Sequence, residues 1–133
     1  MARTAIQNAN ASLYMDGNAG YFTVPITPDP TGFSFGLWIK TGKRTAASTS
    51  IFASSNSAAF TDGFYLGRGN GRGDIEFIGY NTTNPVNLSL RTGNVSDSVW
   101  AHVAVTYLPS GSCSIYLNGA LASTVTATNT IST

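Results

Sequence analysis

No stretch of this chain keeps the three-to-four-residue apolar spacing of an amphipathic helix over about 11 residues. Short runs of alternating character recur instead, each closed by Gly, Pro, Asn or Asp. The cleanest is 33–40, where Phe33, Phe35, Leu37 and Ile39 share one side and Ser34, Gly36, Trp38 and Lys40 the other. Further strands are predicted at 12–15, 21–24, 49–53, 63–68, 74–80, 86–91, 99–108, 112–117 and 120–126. The pairs 12–15/21–24, 63–68/74–80 and 112–117/120–126 read as hairpins. Asn118-Gly119 is the strongest turn signal, because both residues tolerate positive φ. Pro25, Pro28 and Pro30 turn 25–32 into a loop. About ten short strands separated by turns describe a sandwich or a barrel.

The 133 residues fit one domain, expected over 1–133. Only 10% are charged, and polarity comes from Ser, Thr and Asn, which suit strands and turns. Seven Lys/Arg against six Asp/Glu give a formal charge of +1. Lys40, Lys43 and Arg44 are too few for the basic stripe of a nucleic-acid partner and read as solvated strand ends. The lone Cys113 alternates in phase with Ile115 and Leu117 and reads as a small buried hydrophobe. No apolar run is long enough for a membrane-spanning helix, and the start lacks the apolar centre of a signal peptide. Two settings are therefore expected: an extracellular excerpt of a longer protein, or a virion surface.

Three stretches resemble the laminin G-like branch of the concanavalin A-like lectins and glucanases. They are Leu13 to Pro25 with its Asp16-Gly17 turn, the aromatic strand Phe33 to Lys40, and Trp100-Ala101-His102-Val103-Ala104-Val105-Thr106-Tyr107 followed by Ile115-Tyr116-Leu117-Asn118-Gly119. The resemblance covers residues 12 to about 126 and implies an all-β, antiparallel two-sheet jelly-roll sandwich. It implies structural roles for Trp100, His102, Asn118 and Gly119; 99–108 is nearly apolar on both faces, which suits a central strand covered on each side and makes His102 a buried, hydrogen-bonded core residue. Family members continue past the Asn-Gly hairpin. The expectation is an excerpt of a longer chain, or an open edge that pairs with a neighbouring chain.

Chemistry is sparse. Asp74 and Glu76 share a strand face, but glucanases on this fold use three alternating acids and the next in-phase position here is Ile78. An exposed pairing with Arg68 or Arg72 across the hairpin is the reading, and no catalytic residue is assigned. Calcium is the family's common ligand, yet Asp16, Asp29, Asp62 and Asp97 each stand alone, so neither a metal site nor any other cofactor is assigned. Arg72-Gly73-Asp74 matches an adhesion tripeptide at an expected hairpin tip and reads as a plain turn. Four N-glycosylation triplets, at Asn10, Asn81, Asn87 and Asn94, are no excess for so much Asn, Ser and Thr.

Trp38, Tyr65, Tyr80 and Tyr116 are the candidate ligand-binding residues, an aromatic platform for a sugar ring. The function expected is a non-catalytic recognition or adhesion module binding a glycan or a protein surface. The alternatives are a virion decoration or fibre component and, remotely, a glucanase-type hydrolase.

Overall fold

The computed structural model describes residues 29, 31–42, 49–54, 62–68, 73–81, 88–128, 130 and 131. The strands expected at 12–15 and 21–24, and the Asp16-Gly17 turn, lie outside them. Among the described residues eight strands run in order: β1 Phe33–Lys40, β2 Thr49–Ser54, β3 Phe64–Arg68, β4 Ile75–Gly79, β5 Leu88–Arg91, β6 Trp100–Tyr107, β7 Ser112–Leu117 and β8 Ala120–Thr126. They form two four-stranded antiparallel sheets, β1-β6-β7-β8 and β2-β3-β4-β5. The protein is an all-β, concanavalin A-like jelly-roll sandwich, as the alternation and the family resemblance require.

Alternation explains why the sheets stack. β1 turns Phe33, Phe35, Leu37 and Ile39 inward, while β6 turns in Ala101, Val103, Val105 and Tyr107. The opposite layer contributes Phe64, Leu66, Ile75, Phe77, Leu88 and Leu90. Aromatic rings bridge the layers: Phe33 meets Phe64 at 5.0 Å and Phe35 meets Phe52 at 5.1 Å. Phe77 and Leu66 are fully buried, each worth about 1.5–3 kcal/mol relative to exposure. Cys113 lies in the same core beside Ile115, and burial pushes its thiol up to about 12.

Two further contacts join the layers. Beyond β8, Ala127 and Ile131 are both buried. The Ile131 amide donates to Tyr107 Oη at 2.9 Å, and the Ile131 side chain lies directly over Gly79 of β4. At another point Arg68 is buried between the sheets. It donates to Thr41 Oγ1 at 2.9 Å, to the Gly42 carbonyl at 2.7 Å and to Asp97 Oδ1 at 2.5 Å.

β6 corrects one expectation. It is central within its sheet, between β1 and β7, but covered on one side only. Ala101, Val103, Val105 and Tyr107 are buried, whereas Trp100 is exposed and His102, Ala104 and Thr106 are half-buried. An apolar outward position does not create a second layer to cover it.

Candidate recognition surface

The outward side of β1-β6-β7-β8 carries an aromatic surface. Trp38 projects from β1 and is 65% exposed, a large apolar area for a sandwich to leave in water. Register places Trp38 opposite His102 on β6 and Lys40 opposite Trp100. The Trp38 and His102 rings approach to 5.2 Å with planes tilted by 54°. The next row runs Gly36, Ala104, Tyr116 and Leu121 across β1, β6, β7 and β8. Leu121 and Trp100 are exposed and Tyr116 is half-buried.

The β7–β8 turn anchors this surface. Asn118 and Gly119 take φ values of 51° and 82°, the left-handed geometry a two-residue hairpin needs. Asn118 then binds β6 twice: its amide donates to the His102 carbonyl at 2.8 Å, and its Oδ1 accepts from the His102 amide at 2.9 Å. The backbone of His102 is thus held from a neighbouring turn while its side chain stays outside. His102 is not the core histidine expected from the family resemblance, since position 102 alternates out of phase with Ala101 and Val103. Trp100 is likewise half-exposed. A small depression of about 120 Å³ between Val95, Val99, Trp100, Leu117 and Asn118 borders the same end.

The four candidate binding residues do not form one platform. Trp38 and Tyr116 face outward on one sheet, while Tyr65 and Tyr80 belong to the outward side of the other. There Tyr65 Oη donates to Glu76 Oε2 at 3.3 Å. Glu76 also accepts from Arg91 Nη2 at 2.7 Å and from Ser89 Oγ at 3.3 Å. Desolvation first, and the Glu76 charge second, push the Tyr65 hydroxyl up to about 12; Tyr80 is raised for the same two reasons. Sheet membership depends on strand order, which local alternation does not reveal.

The carboxylates depart from expectation too. Glu76 is 7% exposed on a strand flanked by β3 and β5, not exposed at an edge. Its partner is Arg91, directly opposite across β4 and β5, and Asp74 lies 3.9 Å from the same guanidinium. Arg68 is out of reach because it alternates with Phe64 and Leu66 toward the core, and Arg72 lies outside the described residues. Gly73 is buried and Asp74 half-buried, so the Asp of the adhesion tripeptide is not presented at an exposed tip. Of the isolated loop acids, Asp29 accepts from both the amide and the hydroxyl of Thr31, at 2.8 and 2.6 Å, and Asp97 holds Arg68. Among the described residues no three His, Cys, Asp or Glu side chains gather as metal ligands, and no helix is long and apolar enough to cross a membrane.

Fold and surface together define a two-sheet jelly-roll with an exposed aromatic face on one layer and an ion-paired face on the other. Residues 8–133 match the laminin G model of the concanavalin A-like lectin/glucanase superfamily, and the chain belongs to that family. No curated protein sequence matches it. Among solved structures it is similar to HCR/D-Sa-GBL1/C, with a TM-score of 0.61 and 20% identity over 77% of this chain. It is also similar to botulinum neurotoxin type C, in a structure concerned with cell entry through two ganglioside molecules (TM-score 0.57, 20% identity over 78% of this chain). A third similarity is to the binding domain of botulinum neurotoxin DC in complex with rat synaptotagmin II (TM-score 0.58, 18% identity over 77% of this chain). The match spans 26% of each of those chains, and at these identities it shows a shared fold.

Proposed function

We propose that the protein is a non-catalytic recognition module that binds glycans through the outward side of β1-β6-β7-β8. The observation that carries this reading is Trp38, 65% exposed and set beside His102. An indole left in water offers a flat apolar face with one N–H at its rim, which suits the C–H face of a pyranose. Among the described residues, no outward position of β1, β6, β7 or β8 carries a carboxylate to act on a bound sugar. The acid pair on the opposite sheet is engaged with Arg91, Ser89 and Tyr65, which favours an ion-paired lattice over acid-base chemistry. Precedent comes from the neurotoxins of like fold, one linked to gangliosides and one bound to synaptotagmin II.

The test is retention of the protein on an array of neutral and acidic oligosaccharides, followed by calorimetry with the best-retained one. Trp38→Ala is expected to fold as the parent does and to bind at least about tenfold more weakly. Full retention by this variant would move the site elsewhere. A symmetric oligomer with Trp38 buried between copies would replace glycan binding with an assembly role.

A further inference from the structure

We infer that His102 is the polar contact of this surface, and that Gly36 is the positioning residue that gives its ring room. The inference rests on the glycan-binding reading and adds the residue that converts stacking into recognition. His102 belongs to the sequence motif whose resemblance implies a framework role, yet its ring stands on the outside, half-buried, against the most exposed aromatic residue of the described chain. Its backbone is fixed twice by Asn118. Among the described residues no hydrogen bond holds its side chain, and neither ring nitrogen is buried away from water without a partner. An anchored imidazole with an unengaged polar edge, next to an exposed indole, has the composition of a sugar subsite. The pyranose stacks on Trp38 and one of its hydroxyls exchanges a hydrogen bond with His102. The 54° tilt between the rings keeps the imidazole out of the indole plane, so the two groups offer a ligand different faces.

Gly36 explains how the imidazole fits there. It lies on β1 two residues before Trp38, on the same outward side, opposite Ala104. A Cβ at position 36 would stand 3.1 Å from Nε2 and 3.3 Å from Cε1 of His102, and 3.5 Å from the Ala104 Cβ. The imidazole therefore rests in the space a side chain would take. A methyl group there requires the ring to give way by a few tenths of an ångström. The ligand class that follows is a neutral pyranose: an apolar ring face over the indole and one hydroxyl within reach of the imidazole.

Three variants of the full chain separate this inference from the reading beneath it. Calorimetry uses the neutral oligosaccharide best retained on the array. His102→Phe keeps a ring beside Trp38 and removes both nitrogens; binding is expected to weaken by about 2- to 12-fold. Gly36→Ala is expected to weaken binding within the same range while keeping the fold. Because it moves the imidazole, it is also expected to shift the His102 ring resonances and the Trp38 emission in the absence of any ligand. That second readout is one a purely structural glycine would not move. It keeps the test open should His102→Phe fail to fold. Loss of binding in Trp38→Ala with His102→Phe at parental affinity overturns the role of His102 and leaves the recognition surface standing. Unchanged His102 resonances and Trp38 emission in Gly36→Ala overturn the role of Gly36. No neutral oligosaccharide retained on the array overturns the ligand class inferred here, and full affinity in Trp38→Ala overturns the surface and the inference together.

Discussion

Glu76 stands where alternation points a side chain away from the core, yet little of it reaches water. A carboxylate so placed needs partners, because an unpaired buried charge costs several kcal/mol. Arg91 supplies two bonds to one oxygen, from Nε at 3.2 Å and Nη2 at 2.7 Å, while Tyr65 serves the other. The arginine is the more exposed member of the pair, so solvent screens part of the interaction. Arg91→Met is expected to cost about 2–4 kcal/mol, since it leaves Glu76 charged with only neutral donors. Glu76→Gln, which keeps hydrogen-bonding capacity and removes the charge, is expected to cost about 1 kcal/mol. Urea denaturation of the two variants checks the order. A larger loss for Glu76→Gln would mean that the carboxylate does more than balance Arg91.

β1, β6, β7 and β8 stand where alternation and the Asn118-Gly119 turn place them, because a strand's phase and a turn's φ requirement are local properties. Which side of a strand is covered is not local, and β6 shows the difference: its outward apolar positions suggested a second covering layer that the fold does not supply. The phase of Arg68 with Phe64 and Leu66 was available in the sequence and indicates an inward arginine. The partners it finds, Thr41, Gly42 and Asp97, come from distant segments and leave no local mark. The same holds for the segment after β8. Nothing in the sequence marks Ile131 as a partner of β4, yet it seals Gly79, where an added Cβ would come within 2.6 Å of Ile131 Cδ1. Gly79→Ala is expected to destabilise the fold by about 1–3 kcal/mol through overpacking. Shortening the opposing side chain relieves the clash, so Gly79→Ala with Ile131→Val is expected to be less unstable than the two single costs added together. Strict additivity in a thermal-melt cycle would show that the two residues do not meet.

At the scale of the whole molecule, several hydroxyl and thiol groups in different places depend on staying protonated. Burial, and then Glu76, push Tyr65 up to about 12; Tyr80 is raised by the same causes. Tyr107 is raised by burial, partly offset by the bond it accepts from the Ile131 amide, and Cys113 is pushed up to about 12 by burial. A phenol ionises near 10 and a thiol near 8.5 in an unfolded chain. Above those values the unfolded state has already lost protons that the folded state retains, so stability falls as pH rises. For these groups the stabilisation is complete below about pH 8.5. It is lost first through Cys113, then between about pH 10 and 12 as the tyrosines join. The protein is therefore expected to unfold at steadily lower urea concentration as pH rises across that window. Tyr65→Phe removes one of the contributing protons and is expected to make the decline from pH 10 to 12 shallower, even if it lowers stability at neutral pH by breaking the bond to Glu76. Parallel pH profiles for the parent and Tyr65→Phe would show instead that Tyr65 ionises alike in both states, and that its contact with Glu76 does not hold the phenol protonated.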